Sequence, residues 1–99
     1  MKKNKTKDSI YFKDYLEEQL KDPVIRKWYD YYGKQLEIAM QVNKLRKERK
    51  LSQKQLASKL GTTQSNIARI EAGNQNLTVG MLNKIADVFD RKLKIEFTR

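Results

Sequence analysis

Gln53, Thr63, Gln64, Ser65, Asn66 and Arg69 are the side chains whose types and spacing best suit recognition chemistry. A primary amide sets a donor beside an acceptor, and a guanidinium offers a rigid fork of donors. Both geometries match purine edges in the major groove of DNA bidentately. Catalysis has less to work with. The chain has no His and no Cys, and it shows neither a Gly-rich phosphate loop nor a serine-nucleophile elbow. The same absences remove disulfides and the usual zinc ligands. The expectation is a protein that is not an enzyme and needs no cofactor or metal. One enzymatic alternative survives the composition, a small basic ribonuclease using Lys, Arg, Tyr or Glu, but such a fold would need a sheet that this sequence does not offer.

The elements that must position these groups are legible in LSQKQLASKLGTTQSNIARIE, residues 51–71. Ser52 is a good N-cap, Gln55 three residues on can close a capping box, and Leu51 can staple onto Leu56. Gly61 stands where a left-handed C-terminal residue is needed, so a first helix stops there and the chain turns. Thr63 then caps a second helix. On its wheel Ile67 and Ile70 fall on one side, while Gln64, Ser65, Ala68 and Arg69 fall on the other. A helix that exposes Gln, Ser and Asn in its first turn and Arg one turn later suits the major groove. The plainer alternative is an ordinary solvated face.

The run Gln53, Leu56, Ala57, Gly61, Gln64, Ile67 and Glu71 resembles the lambda-repressor-like (Cro/cI, or XRE) helix-turn-helix family over roughly residues 36–90. The resemblance implies an all-α helix-turn-helix bundle, and with the residue types and spacing it makes Gln53, Thr63, Gln64, Ser65, Asn66, Arg69, Asn74 and Gln75 the candidate DNA contacts. It has Gln64 touch an adenine or a neighbouring side chain, and Gln53 clamp a phosphate while buttressing Gln64. It also implies that Arg46 pairs with Glu71 as a structural ion pair. A bidentate pair of that kind would fix the angle between their helices.

Charge agrees with a polyanion partner. The formal net charge is +10 over 99 residues, with 13 basic and 6 acidic groups in residues 36–99 against 9 and 6 in residues 1–35. A basic stripe is the footprint of a nucleic-acid binder, although membranes and acidic proteins also attract one. Asn43 to Lys50, NKLRKERK, holds five basic residues and one Glu. Lys44, Lys47 and Lys50 read there as a solvated face that meets phosphates on occasion. No apolar run approaches eighteen residues and no signal-peptide pattern opens the chain, so a soluble, cytoplasmic protein without a membrane partner is expected.

Two divisions follow, residues 1–35 as a tail and helical extension and residues 36–99 as the helix-turn-helix domain. MKKNKTK has nothing to bury and reads as disordered. Asp8 or Ser9 can cap a first helix carrying Phe12, Tyr15, Leu16 and Leu20, and Asp22-Pro23 starts another. From Pro23 the apolar spacing allows helix to about Arg49, with Gly33 as a kink or boundary. Seven of the nine aromatics lie between Tyr11 and Tyr32. Such rings either brace the domain or form a partner surface, where Tyr and Trp act as anchors.

The stretch YFKDYLEEQLKDPVIRKWYDYYGKQLEIAMQVNKLRKERKLSQ is similar to the N-terminal region of HigA-type antitoxins, through DYLEEQLKDP, an aromatic-rich helix and a basic helix. That likeness implies a HigB/RelE-like ribonuclease toxin as partner, bound through Tyr11, Phe12, Tyr15, Leu16, Trp28, Tyr31 and Tyr32, and repression of the chain's own operon. The rival expectation is a stand-alone phage-type or metabolic repressor of the XRE family.

Asn74, Gln75 and Asn76 form a polar loop able to offer donors to phosphates or simply to turn. Thr78 then caps a last helix with Met81, Leu82, Ile85, Ala86 and Phe89 as its apolar face. After it Leu93, Ile95 and Phe97 alternate with Lys94, Glu96 and Thr98, the period of a strand over residues 93–98. A single strand needs a partner, so the expectation is a homodimer paired through Leu93, Ile95 and Phe97, or a strand added to the toxin's sheet.

Overall fold

The computed structural model describes residues 12–73 and 75–99. The expectations for Tyr11, Asn74, the MKKNKTK tail and the Asp8 or Ser9 cap lie outside the described residues. Helix α1 is seen over 12–19, followed by α2 (Pro23–Tyr32), α3 (Lys34–Glu48), α4 (Gln53–Leu60), α5 (Gln64–Glu71) and α6 (Val79–Val88).

Local chemistry starts and stops each element. Asp22 accepts the Val24 N–H at 2.9 Å ahead of Pro23, a residue already set to a helical φ. Gly33, at φ 58° and ψ −120°, separates α2 from α3. Tyr29 bridges that break by donating its hydroxyl to Glu37 at 2.9 Å. This bond to a carboxylate, with burial, holds the phenol above its ordinary pKa. Ser52 and Gln55 exchange both bonds of a capping box, at 3.0 and 2.8 Å. Gly61 ends α4 in the left-handed region at φ 70°, a conformation that costs any residue with a Cβ about 1 kcal/mol or more. Thr63 and Thr78 cap α5 and α6 through the Asn66 and Met81 N–H groups.

These four helices, α3 to α6, enclose one core. Val42, Leu56, Ala57, Leu60, Ile67, Ile70, Ile85 and Phe89 are its buried members, with Ile38, Leu45, Leu51, Leu77, Met81 and Val88 packed around them. Leu56, Ile67 and Phe89 are wholly enclosed, each stabilising the fold by about 1.5–3 kcal/mol through burial. The apolar face expected on α6 divides. Ile85 and Phe89 enter the core, whereas Leu82 and Ala86 are half-buried and lie outside that cluster. Helix α2 buries no residue at all, and Lys44 of α3 sits over the Tyr15 ring of α1 at 5.4 Å. The N-terminal helices thus lean on the domain without building its interior.

The expected strand at 93–98 is absent: residues 91–99 are neither helix nor strand. Asp90, at φ 55°, turns the chain out of α6. Arg49 holds the turn by donating to the Phe89 carbonyl at 2.6 Å and lying 3.7 Å from the Asp90 carboxylate. Beyond it, Ile95 is 57% and Phe97 fully exposed. A strand exists through its ladder, and among the described residues no second strand offers one. Alternation in the sequence therefore marked amphipathic chain and not a sheet.

Candidate nucleic-acid interface

Helix α5 presents its two faces as its spacing requires. Ile67 and Ile70 are 0% and 2% exposed, and Gln64, Ser65, Ala68 and Arg69 are exposed on the opposite side. Among the described residues Gln64, Ser65 and Arg69 carry no side-chain hydrogen bond, which leaves an amide, a hydroxyl and a guanidinium available to base edges or phosphates. Thr63 is exposed, but its hydroxyl is engaged as the cap of α5. Lys54 and Lys59 of α4 are exposed nearby in sequence.

Asn66, Gln75 and Gln53 each make side-chain hydrogen bonds within the domain. Asn66 is half-buried and donates to the Thr62 hydroxyl at 3.1 Å, while its carbonyl oxygen accepts from Gln75 at 2.8 Å. Gln53 turns inward and donates to Glu71 at 3.2 Å. As placed, its amide nitrogen is committed to that carboxylate and makes no bond to Gln64. The physical reason is the buried charge. A carboxylate enclosed at this depth needs every donor within reach.

That carboxylate is the anchor of the site. Arg46 grips it bidentately, Nε to Oε2 at 2.7 Å and Nη2 to Oε1 at 3.1 Å, and sends Nη1 to the Leu51 carbonyl at 2.7 Å. Asn43 adds a bond at 2.9 Å. The Arg46 and Glu71 side chains are 12% and 5% exposed. Burial by itself pushes the Glu71 pKa up; the bonds from Arg46, Asn43 and Gln53, with the Arg46 charge, outweigh it and hold the carboxyl below its ordinary range. One ion thereby joins α3, the start of α4 and the end of α5, and sets the pitch of the exposed helix. Asn43 lies one turn before Arg46 on the same face of α3, a spacing that could have revealed its role.

The loop after α5 is tied down as well. Gly73 is buried at φ 81°, and a Cβ there would lie 3.1 Å from Leu36 Cδ1. Gln35 of α3 donates to Asn76. Loop and helix α5 therefore sit on a common base.

The aromatic residues of α2 form a cluster of their own. Trp28 and Tyr32 stack at 5.3 Å and 9°, and Tyr31 meets Tyr32 edge-on at 4.9 Å. Tyr31 is 80% exposed and Trp28 49%. Phe12, Tyr15 and Leu16 are half-buried. A groove of about 450 Å³ runs between the helices, lined by Tyr15, Gln19, Ile25, Trp28, Tyr32, Leu36, Met40 and Ala72. The aliphatic part of this lining and the contact with Ala72 were not evident from the sequence, because they depend on how α1 and α2 lean on α3. Among the described residues no group of acidic side chains is placed to hold a metal ion, and no helix is long and apolar enough to cross a membrane.

Two short helices joined by a left-handed turn, the second braced from behind by the Arg46–Glu71 ion pair and open to solvent in front, make a helix-turn-helix unit. The chain belongs to the helix-turn-helix family HTH_3, whose model matches residues 42–95. Among solved structures it is similar to the restriction-modification controller protein C.AhdI from Aeromonas hydrophila, at 27% identity and a TM-score of 0.58, over 64% of this chain and 91% of that one. Curated protein sequences give no match. Family and structural likeness together support a DNA-binding transcriptional regulator.

Proposed function

We propose that the protein is a dimeric, sequence-specific repressor acting as the antitoxin of a toxin–antitoxin pair, reading an operator with α5 and holding a HigB/RelE-like ribonuclease with α1 and α2. The observation that carries the reading head is the contrast on α5, where Gln64, Ser65 and Arg69 face solvent above a helix locked by the Arg46–Glu71 pair. Support for a protein partner comes from exposed Trp28 and Tyr31 beside an apolar groove. Charge favours DNA on the helix-turn-helix region: residues 34–99 hold 14 basic and six acidic groups, a net of +8, against eight and six, a net of +2, in residues 1–33. Dimer contacts fall to apolar side chains left uncovered in the C-terminal part of the chain, Val79, Ile95 and Phe97.

The stand-alone regulator is the second reading, favoured by the similarity to a restriction-modification controller protein. One experiment separates them. The neighbouring reading frame is expressed in cells with and without this chain. Toxicity relieved by the full chain, but not by a Trp28→Ala/Tyr31→Ala variant that still binds the upstream duplex, supports the antitoxin. A harmless neighbour leaves the stand-alone repressor.

A further inference from the structure

The loop that follows α5 is joined to the first turn of that helix by side-chain amides. Gln75 Nε2 donates to Asn66 Oδ1 at 2.8 Å, Asn66 Nδ2 donates to Thr62 Oγ1 at 3.1 Å, and the Asn66 N–H closes the Thr63 cap at 3.1 Å. Asn66 thereby spans the turn before the helix and the loop after it. Reading an adenine takes both ends of an amide at once. Both ends of Asn66 are already in use, and they stay in use if its oxygen and nitrogen are exchanged, since a hydroxyl and an amide can each donate or accept. Gln64, two residues earlier, is exposed with no such commitment. On the far side of the loop Gln35 holds Asn76, so the segment is fixed at two successive residues to two different helices.

We propose that Asn66 and Gln75 are positioning residues, which make the first turn of α5 and the loop beginning at Gln75 one rigid unit and read no base themselves. The inference rests on the DNA-binding reading. Its mechanism is preorganisation: a loop that meets phosphates fixes the register of a helix that meets bases only if the two cannot move independently. Breaking the link leaves every DNA-facing group in place and lets the register wander. Specific binding then falls while non-specific attraction, set by charge, stays as it was.

The test uses the full chain and a duplex that the wild-type protein enriches from a random-sequence library. Gln75→Met keeps the length of the side chain and removes its amide; Asn66→Ala removes the other partner. Each single change is expected to lower the ratio of selected to random-duplex affinity about five- to tenfold, the worth of one hydrogen bond. The double change should lower it no further, the salt slope should be unaltered, and Gln75→Met should melt close to the wild type. Additive losses, a shifted preference at one base position, or a reduced salt slope would make Gln75 a direct contact and overturn the proposal, as would an unchanged ratio in Gln75→Met. A wild-type chain that enriches no sequence overturns the DNA-binding reading and this inference with it, an outcome visible before any variant is made.

Discussion

Replacing Arg46 with Ala probes the one buried charge on which three helices converge. The change removes a bidentate partner from a Glu71 side chain that is 5% exposed and takes the donor from the Leu51 carbonyl. Stranding a buried charge costs about 3–5 kcal/mol. Asn43 and Gln53 remain as donors to the carboxylate, which places the expected loss near the lower end, about 3 kcal/mol. At roughly 4–8 °C per kcal/mol for a domain of this size, the melting temperature at pH 7 should fall by about 12–24 °C. The pH dependence adds a second signature. In the wild type the folded pKa of Glu71 lies below its ordinary value of 4.5. The pair's stability is therefore present above that value and lost as pH falls through the folded pKa. In Arg46→Ala burial meets less opposition, the carboxyl takes up its proton at higher pH, and the penalty for leaving it charged disappears on acidification. The gap between the two melting curves should narrow steadily from pH 7 towards pH 3. Calorimetry or circular dichroism at several pH values decides it, and a wild-type-like melt at pH 7, or a gap that does not change with pH, would refute the reasoning.

Gln64→Ala should cost about 1–3 kcal/mol at the selected operator and relax preference at one base position, whereas Lys54→Ala or Lys59→Ala should instead lower the salt slope by about 1 each, both read by anisotropy titrations at several salt concentrations. Gly73→Ala combines a left-handed φ with a 3.1 Å approach to Leu36, while Gly61→Ala meets only the former because nothing lies within 4 Å of its Cβ position. Melting should rank Gly73→Ala as the costlier by about 1 kcal/mol or more, with about 1 kcal/mol for Gly61→Ala. Ile95→Lys with Phe97→Lys should leave the fold unchanged and convert a sedimenting dimer to monomer; a dimer that persists would move the interface to the α6 surface around Val79.

Features that depend on near neighbours were legible before the fold was known. The Ser52–Gln55 box, the turn at Gly61 and the cap at Thr63 each involve residues five or fewer apart, so pattern and mechanism coincide. The apolar side of α5 could be drawn on a wheel because Ile67 and Ile70 lie one turn apart. Features that depend on distant partners were not. The bond from Gln53 to Glu71, eighteen residues away, could not be read from spacing. Nor could the bond from Gln75 to Asn66, which forms only once the loop after α5 folds back. The alternation of Leu93, Ile95 and Phe97 suggested a strand, yet period two says only which side chains share a face and supplies no ladder. The groove required the tilt of two helices that contribute nothing to the core, and tilt leaves little trace in spacing.

Ala72 belongs to two surfaces at once. Its N–H closes the last turn of α5 on the Ala68 and Arg69 carbonyls, at 3.0 and 3.2 Å, and it lines the same groove as Trp28 and Tyr32. A molecule seated in that groove touches the end of α5, the helix proposed to meet DNA. If filling the groove shifts this turn so that operator affinity changes by some factor, then operator DNA must change the affinity of the groove for its occupant by the same factor, because the two events close one thermodynamic cycle. The tightness of a protein complex at this site would then be a function of how much operator is present, and a titration of the groove with and without DNA would give the regulatory coupling as a single number.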